Sequence, residues 1–300
     1  MTDSKPQKPT AFLIDSSVFV FRSYFSMSPD LVDSAGDSNH AVYGFARFLV
    51  RFMKQTQPQY IATAFDEALT TSFRNEIYPP YKANRDPAPA DLKKQFKHCQ
   101  QLAKLLGIAV FADDSYEADD LIGTLHNTYA EKGHNICIVS ADKDLAQLVR
   151  PSDWWWDYGK SKPLGYNALT DKFGVRPDQV CDFLALAGDQ VDNIPGVKGV
   201  GVKTAQVLLN HFNDLDTLLS RCNEIEFLSL RGAKSCQQKI KNQKAEALLS
   251  RQLAKIVVDA PIENDAIIKS KSDQSALIDF IEAMNFGPML RRELIEIAVK

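Results

Sequence analysis

Four short apolar runs in the first half of the chain each lead into acidic residues. They are Ala11–Ile14, Tyr60–Phe65, Ile108–Phe111 and Ile136–Val139. Short runs that are apolar at nearly every position predict strands buried on both faces of a sheet. Between the runs, two longer stretches at 41–54 and 91–106 carry apolar residues at helical spacing. This alternation predicts an α/β fold with a mostly parallel central sheet flanked by helices.

The pattern becomes helical in the second half of the chain. Before the change, Trp154–Trp156 predicts a buried edge strand, to which we assign no function. From Pro177 onward apolar residues recur at helical spacing up to Gly188, and a glycine-rich stretch then opens another helix. We therefore predict a flexible tail at 1–10, an α/β core at 11–175 and a helical region at 176–300 with a hairpin at about 189–205.

Composition narrows the class of protein. A chain of 300 residues that is 45% hydrophobic can bury a sizeable core. No signal peptide is visible and no run approaches 18 uncharged apolar residues, so we expect a soluble, cytoplasmic protein. The five cysteines are odd in number and irregularly spaced, which predicts reduced thiols and neither a disulfide framework nor a zinc site. A net charge of −3 does not by itself indicate a nucleic-acid binder.

Acidic residues follow each predicted strand. Asp15 and Asp66 end the first two, and the third and fourth lead to three acids at 117–120 and two at 142–144. In open parallel sheets the functional crevice lies outside the carboxyl ends of the strands. A single aspartate there is an ordinary turn residue, but four successive strands with only Lys143 interposed indicate a cation site. For the 117–120 cluster alone, acids that complement the dipole of a helix capped by Ser115 are the alternative.

Basic and glycine-rich segments complete the candidate chemistry. Residues 72–87 combine prolines, aromatics and bases, and an amphipathic helix with three lysines follows. Such a segment suits contacts with phosphates and bases, although a solvated loop and surface helix would have the same composition. The stretch 199–204 misses a P-loop by one residue, Val202, and no strand precedes it, which argues against ATP binding. Its backbone N–H groups still suit a phosphate, and Asp189 and Asp192 lie just before it.

With these motifs in this order, the chain resembles the 5′-nuclease family, which includes the nuclease domain of bacterial DNA polymerase I, free-standing relatives and, more distantly, flap endonucleases. The resemblance runs from about Ala11 to about Asp259. It is carried by Leu13–Ser17, Phe65–Asp66, Ser72–Arg74, Tyr81–Arg85, Glu117–Asp120, Asp142–Asp144, Gly188–Gly196 and Gly199–Ala205. It implies a PIN-like core, a helical arch at about 68–100 and a helix-hairpin-helix-type region. Ser16 and Asp86 depart from the family, which usually has glycine and proline there.

The resemblance also implies a site for two divalent cations, Mg²⁺ with Mn²⁺ as a second candidate, that hydrolyse a phosphodiester bond. The first metal region comprises Asp15, Asp66, Glu117, Asp119 and Asp120; the second comprises Asp142, Asp144, Asp189 and Asp192. The catalytic set is Asp15, Asp142, Lys82 and Arg85, of which the last two clamp the scissile phosphate. When these nine of the 38 acidic residues are set aside, 29 remain against 35 basic residues, so the rest of the chain is mildly basic.

Further residues are expected to contact DNA. They are Arg74, Tyr81, Lys82 and Arg85 at the arch and Gly196, Gly199, Gly201, Lys203 and Thr204 at the hairpin, where K⁺ is a further candidate ligand. Arg22 and Tyr24 are expected either near the cleft, by analogy, or in packing.

The function implied by the resemblance is that of a structure-specific 5′-3′ exonuclease and flap endonuclease. It would act on 5′ ends or flaps threaded beneath the arch, as a monomer at the nucleoid that works with a DNA polymerase in replication or repair. With no polymerase domain following residue 300, we expect a stand-alone nuclease or an isolated nuclease domain. A non-catalytic DNA-junction binder and an RNase H-like enzyme that removes RNA primers are the alternatives.

Overall fold

A computed structural model describes residues 8–67 and 71–299 of the chain. Most of the predicted tail and the first three residues of the predicted arch therefore lie outside the described residues. In the part of the chain that is described, no helix is long and apolar enough to cross a bilayer.

A six-stranded sheet forms the centre of the molecule. Its strands are β1 (Thr10–Asp15), β2 (Tyr60–Asp66), β3 (Ala109–Asp113), β4 (Asn135–Val139), β5 (Trp154–Trp156) and β6 (Leu164–Gly165), in the order β3-β2-β1-β4-β5-β6. The first five run parallel and β6 is antiparallel to β5. The four predicted strands are confirmed. The tryptophan strand is present but is not the edge, because β6 pairs with its outer side.

Thirteen α-helices are described around and beyond the sheet. In the first half they are α1 (Ser16–Ser26), α2 (His40–Thr56), α3 (Phe73–Ile77), α4 (Ala90–Leu105), α5 (Ala118–Glu131) and α6 (Tyr166–Phe173). In the second half they are α7 (Val180–Ala187), α8 (Val202–Phe212), α9 (Leu215–Ser220), α10 (Ala233–Asn242), α11 (Lys244–Ala254), α12 (Gln274–Ala283) and α13 (Pro288–Val299). Short 3-10 turns lie at Asp144–Leu148, Pro177–Gln179 and Cys222–Phe227.

Both faces of the sheet are buried, as continuous apolar strands require. Leu13 and Ile138 point into a core that also contains α5 and helices α7, α8, α10 and α11. Ile14 and Val139, their neighbours in sequence, point into the opposite core with α1, α2 and α4. The alternation of side chains along β1 and β4 thus divides the interior into two layers of one molecule.

The last two helices return to the α/β half of the molecule. Leu277 of α12 and Leu294 of α13 are buried in the same core as Phe45 and Phe52 of α2. The segment just before α12 contacts the start of β2, where the backbone N–H of Ile61 donates to the carbonyl of Ile267 at 2.8 Å. The segment predicted as a helical region at 176–300 therefore contains two helices that cover the sheet, because their apolar faces are buried against α2 and α4.

A tight turn links α7 to the hairpin before α8. Gly188 ends α7 with φ 73°, and Gly196 (φ 62°) lies directly against it. A Cβ atom added at Gly196 would stand 2.3 Å from the Gly188 nitrogen, so only glycine allows the two backbones to approach this closely. The contact fixes the direction in which the hairpin leaves α7.

We expect Gly196→Ala to lower the free energy of unfolding by about 1–3 kcal/mol, because the new methyl group overlaps backbone atoms and the backbone adopts a left-handed conformation. Urea denaturation measures this directly. Gly201→Ala is the matched control, since nothing lies within 4 Å of a Cβ placed there; it should lose less than about 1 kcal/mol. Equal losses in the two variants would contradict the steric explanation.

Candidate active site

The carboxyl ends of β1, β2 and β4 bring their acids to one edge of the sheet, as predicted. Asp15 accepts a hydrogen bond from Ser140 Oγ at 2.7 Å. The same hydroxyl accepts from the backbone N–H of Asp142 at 2.8 Å, which ties the ends of β1 and β4 together. Asp66 accepts from Ala118 N, at the start of α5, at 2.8 Å. Each carboxylate is thus oriented by a neighbouring strand or helix.

Helix α5 begins later than predicted. Its N-cap is Glu117, whose backbone N–H donates to the Asp120 carboxylate at 3.2 Å. Ser115, the predicted cap, lies outside the helix with its N–H bound to Asp113 Oδ1 at 2.7 Å. Of the acids in the first turn of α5, Asp119 lies near Asp15, Asp66 and Asp142 at the strand ends.

Burial makes the charged form of these acids unfavourable. Desolvation, followed by the charge of Asp66, raises the pKa of Asp15 to about 7. Desolvation also raises the pKa of Asp119, with the charges of Asp142, Asp15 and Asp66 adding to the effect. The pKa of Asp144 is raised by burial and then by Asp142. This edge of the sheet therefore concentrates carboxyl groups whose charged form a bound cation would stabilise.

The donor chemistry at this edge fits a divalent cation. Carboxylate oxygens without histidine or cysteine are the ligands that Mg²⁺ prefers, and Asp144 Oδ1 is buried without a hydrogen-bond partner. In residues 8–67 and 71–299, however, no three acidic, histidine or cysteine side chains converge closely enough to form a ready-made metal site. The acids lie at one edge of the sheet, but their carboxylate oxygens do not surround a single point.

Three basic side chains lie beside the remaining acids. Lys82 Nζ is 2.7 Å from Glu117 Oε2 and 3.7 Å from Asp192 Oδ2. Arg85 pairs with the other oxygen of Asp192. Burial opposes the charged form of Lys82, but Glu117 and other neighbours outweigh it and raise the lysine's pKa well above its ordinary value. The two predicted phosphate-binding residues thus converge on the acidic edge with their charges intact.

Lys143, the base interposed among the acids, pairs with Asp189 at 2.9 Å. Lys82, Arg85 and Lys143 each therefore touch a carboxylate that was predicted to hold metal.

Arg74 and Asp120 form a buried ion pair, contrary to the predicted contacts with DNA and metal. Arg74 is 2% exposed and Asp120 is 0% exposed, and two hydrogen bonds of 2.7 and 2.8 Å join them. Arg74 also donates to the carbonyls of Leu253 and Lys255. Arg74 thus occupies both oxygens of Asp120, and the backbone N–H of Val257 donates a further hydrogen bond to Asp120 Oδ1 at 2.9 Å. The pair joins α3, α5 and the end of α11.

Tyr81 is likewise buried, which contradicts its predicted contact with DNA. Its side chain is 3% exposed, and its hydroxyl donates to Glu117 Oε2 at 3.1 Å. The ring lies beneath Lys82, whose Nζ is 5.0 Å from the ring centroid. Tyr81 therefore supports Lys82 and Glu117 from below.

The hairpin exposes part of the predicted DNA-binding set. Gly199, Gly201 and Lys203 are exposed and Thr204 is half-buried at the start of α8. Gly196 is buried, and its N–H donates to Ser250 Oγ at 2.9 Å. This contradicts the prediction that Gly196 contacts DNA.

Two residues that sequence patterns did not reveal support the hairpin. Gln243 donates to the Lys198 carbonyl and accepts from the Lys198 N–H, the latter at 2.8 Å. Lys239 donates to the Gly199 carbonyl at 3.2 Å. Both lie some 40 residues beyond the hairpin, where no local motif marks them.

Arg22 and Tyr24, for which cleft and packing positions were both expected, make packing contacts. Arg22 pairs with Asp157 at 2.8 Å, and the Tyr24 hydroxyl bonds Asp91 at 3.1 Å. The Asp91 contact links α1 to the first turn of α4.

Comparisons with known proteins show which proteins the chain is similar to. Residues 10–174 match the 5′-3′ exonuclease N-terminal resolvase-like domain, and residues 175–274 match the 5′-3′ exonuclease C-terminal SAM fold. The chain is 36% identical to a 5′-3′ exonuclease of Aquifex aeolicus over 85% of this chain and 84% of that protein. It is 34% identical to DNA polymerase I of Rhizobium leguminosarum over 94% of this chain. That match covers 28% of the polymerase, so the chain spans about a third of such relatives.

Solved structures share the fold. The zinc-bound T5 5′-exonuclease superimposes with a TM-score of 0.68 at 17% identity, over 96% of this chain and 97% of that one. The catalytic core of Rad2 in complex with a DNA substrate gives 0.63 at 14% identity, over 97% and 91%. These matches confirm the predicted mostly parallel sheet flanked by helices, followed by a helical region.

Replacing Arg74 by methionine should destabilise the protein by about 3–5 kcal/mol, because the buried Asp120 carboxylate would lose its counter-ion. Urea unfolding at neutral pH measures the loss. Arg22→Met is the control: its ion pair with Asp157 is partly exposed, with 29% of the Arg22 side chain accessible, and should contribute no more than about 1 kcal/mol. Similar losses in both variants would show that burial of the Arg74 pair does not matter.

Without divalent cations, the wild-type protein should lose stability relative to Asp15→Asn as the pH rises from about 4 to about 7. The folded carboxyl group holds its proton more tightly than the unfolded one in this window, so raising the pH favours unfolding. The relative loss is on the order of 4 kcal/mol at most. Urea unfolding in EDTA at several pH values measures it, with Asp86→Asn as the exposed-carboxylate control. A pH-independent difference would contradict the raised pKa.

Proposed function

The chain belongs to the 5′-3′ exonuclease family, and on that premise we propose that it is a structure-specific 5′-3′ exonuclease and flap endonuclease that hydrolyses DNA phosphodiester bonds with two divalent cations. The observation that carries the proposal is the convergence of Lys82 and Arg85 on the acidic edge formed by the strand ends and α5. A phosphodiester is anionic. Its hydrolysis therefore needs carboxylates that bind metal ions and, next to them, cationic side chains that bind the phosphate.

The proposed metal ligands are the predicted acids without Asp120, whose oxygens are both occupied. They are Asp15, Asp66, Glu117 and Asp119 in the first region, and Asp142, Asp144, Asp189 and Asp192 in the second. When bound there, divalent cations would lower the pKa of a water molecule and neutralise the leaving oxygen. Oxygen donors favour Mg²⁺, and Mn²⁺ accepts the same ligands.

The bases at the site hold the substrate. Lys82 and Arg85 lie next to Glu117 and Asp192, so a phosphate bound among these residues would exchange one ion pair for another. Because both side chains are cationic, they stabilise the charge that develops on the phosphate. Arg85, whose side chain is 40% exposed, can reach outward more readily than Lys82 at 12%. Tyr81 supports Lys82 from beneath.

The hairpin is the proposed surface for the DNA duplex. Gly199, Gly201 and Lys203 expose backbone and a positive charge at the N-terminus of α8, where a phosphate is favoured by free N–H groups and by the helix dipole. Such contacts hold the duplex without reading its sequence. K⁺ is a candidate ligand for the hairpin carbonyls, in competition with Lys239 at Gly199. The 5′ end or flap would pass beneath the arch.

The biological setting follows from the relatives and stays part of the proposal. Relatives include bacterial DNA polymerases and a 5′-3′ exonuclease. We propose that the protein acts as a monomer in the cytoplasm, at the nucleoid, on ends that a DNA polymerase creates.

A 5′-flap duplex labelled at both ends tests the proposal. With Mg²⁺ the wild-type protein should release a short 5′ fragment, EDTA should abolish the release, and Asp142→Asn should slow it at least ~100-fold while DNA binding persists. Asp279→Asn removes an exposed carboxylate of α12, outside the arch and the candidate site, and is the matched control.

Two results would redirect the proposal. Binding without cleavage in both Mg²⁺ and Mn²⁺ would leave a junction binder. Cleavage of an RNA-tipped flap with indifference to the all-DNA flap would indicate removal of RNA primers.

A further inference from the structure

Two segments more than 100 residues apart meet beside the candidate active site. One is the turn at 78–85, which follows α3 and which we call the arch root. The other is the turn at 189–194, which follows α7 and which we call the hairpin turn. Lys82 N donates to Asp192 O at 3.0 Å, so the two backbones are joined directly.

Two asparagine side chains complete the connection in opposite directions. Asn84 Nδ2, in the arch root, donates to the carbonyl of Gln190 at 2.9 Å. Asn193 Nδ2, in the hairpin turn, donates to the carbonyl of Pro80 at 2.6 Å. Each turn thus contributes one amide that holds a backbone carbonyl of the other, and the Lys82–Asp192 backbone bond lies between them.

The backbone at this contact is held in an uncommon conformation. Lys82 and Asn193 have φ values of 53° and 57°, in the left-handed region that non-glycine residues rarely adopt. Such residues persist where the surrounding contacts determine their conformation, and they cluster at functional sites. Here the conformation of Lys82 decides where its ammonium group points.

The hairpin turn is itself firmly held, and the arch root is anchored to α3 only up to Tyr81, whose carbonyl accepts from Asn75 Nδ2 at 2.9 Å. Asp189 and Ile194 exchange two backbone hydrogen bonds of 2.9 and 2.7 Å, and Gly188 lies against Gly196 at the base of the turn. After Arg85 the arch continues to α4 without regular secondary structure. The positions of Lys82 and Arg85 therefore depend on the connection to the hairpin turn.

We propose that Asn84 and Asn193 form a latch that positions Lys82 and Arg85 relative to the hairpin. Both are positioning residues, because they act through the two bases and not on the substrate. The inference rests on the proposed function: a duplex seated on the hairpin and a phosphate held by the two bases become parts of one rigid frame. The latch therefore sets which phosphodiester bond, counted from the duplex end, meets the acidic edge.

Asn84→Ala and Asn193→Gly test the latch, the latter because glycine keeps the left-handed backbone while removing the amide. Asn285→Gly is the matched control, since Asn285 also has a positive φ of 51° and its amide also donates to a distant carbonyl, that of Val32 at 3.4 Å. The assay measures single-turnover cleavage of the labelled flap in Mg²⁺, the length of every product, and duplex affinity in EDTA.

The latch variants should cleave ~10- to 100-fold more slowly, because small misplacements of a catalytic group have effects of that size. Their products should spread over several neighbouring bonds, while duplex affinity stays within ~3-fold of wild type and Asn285→Gly behaves as wild type. In a Lys82→Ala background the Asn84→Ala and Asn193→Gly changes should have a smaller further effect, since part of their action passes through Lys82 and the rest through Arg85.

Trypsin provides a readout that needs neither metal nor DNA. Cleavage after Lys82 and Arg85 should be faster in both latch variants than in Asn285→Gly, because the arch root would open more often.

Wild-type rates and a single product in both latch variants would overturn the proposal. So would an undiminished loss in the Lys82→Ala background, which would indicate a general defect. If the wild-type protein cleaved no flap, the proposed function would fail, and equal trypsin sensitivity of latch and control variants would then reject the latch separately.

Discussion

Mutual repulsion among buried carboxylates is the constraint on which the rest of this molecule depends. Asp15, Asp119 and Asp144 are all disfavoured as anions by burial and by the charges of neighbouring carboxylates, with Asp142 acting on all three. Positive and polar groups stabilise the acids at this edge. The Ser140 hydroxyl donates to Asp15, and the first N–H of α5 donates to Asp66. Lys82 and Arg85 pair with Glu117 and Asp192. Carboxylates with such strongly raised pKa values cluster at functional sites, and a bound cation would stabilise their charged forms.

Placing those acids requires the particular topology of the sheet. Because β1 lies between β2 and β4, the acids at their carboxyl ends come together although they are far apart in sequence. Trp155 contributes from the next strand, where its indole N–H donates to the Asp142 carbonyl at 2.8 Å. The tryptophan strand, to which sequence patterns assigned no role, thus supports the loop that carries Asp142 and Asp144.

The strands and their acids could be predicted from the sequence because both depend on local pattern. A continuous apolar run has few options other than a buried strand, and the acid that follows it lies at the sheet edge wherever the strand pairs. Arg74 and Tyr81 were misassigned for the opposite reason. Their partners, Asp120 and Glu117, lie 46 and 36 residues away, and a basic or aromatic residue in a proline-rich segment has the same composition whether it faces DNA or a buried acid. The return of α12 and α13 to the sheet depends in the same way on distant surfaces.

The buried pair of Arg74 and Asp120 also has a consequence for the order in which the chain acquires its structure. Its two charges lie within the first 120 residues, but the carbonyls and the N–H that complete its hydrogen bonds belong to Leu253, Lys255 and Val257. The ribosome synthesises these segments far apart in time. Until the end of α11 has emerged, the Arg74–Asp120 pair in the α/β half lacks part of its hydrogen bonds. The two halves that family models separate near residue 174 are therefore expected to complete folding together, late in synthesis, as one cooperative unit of high contact order.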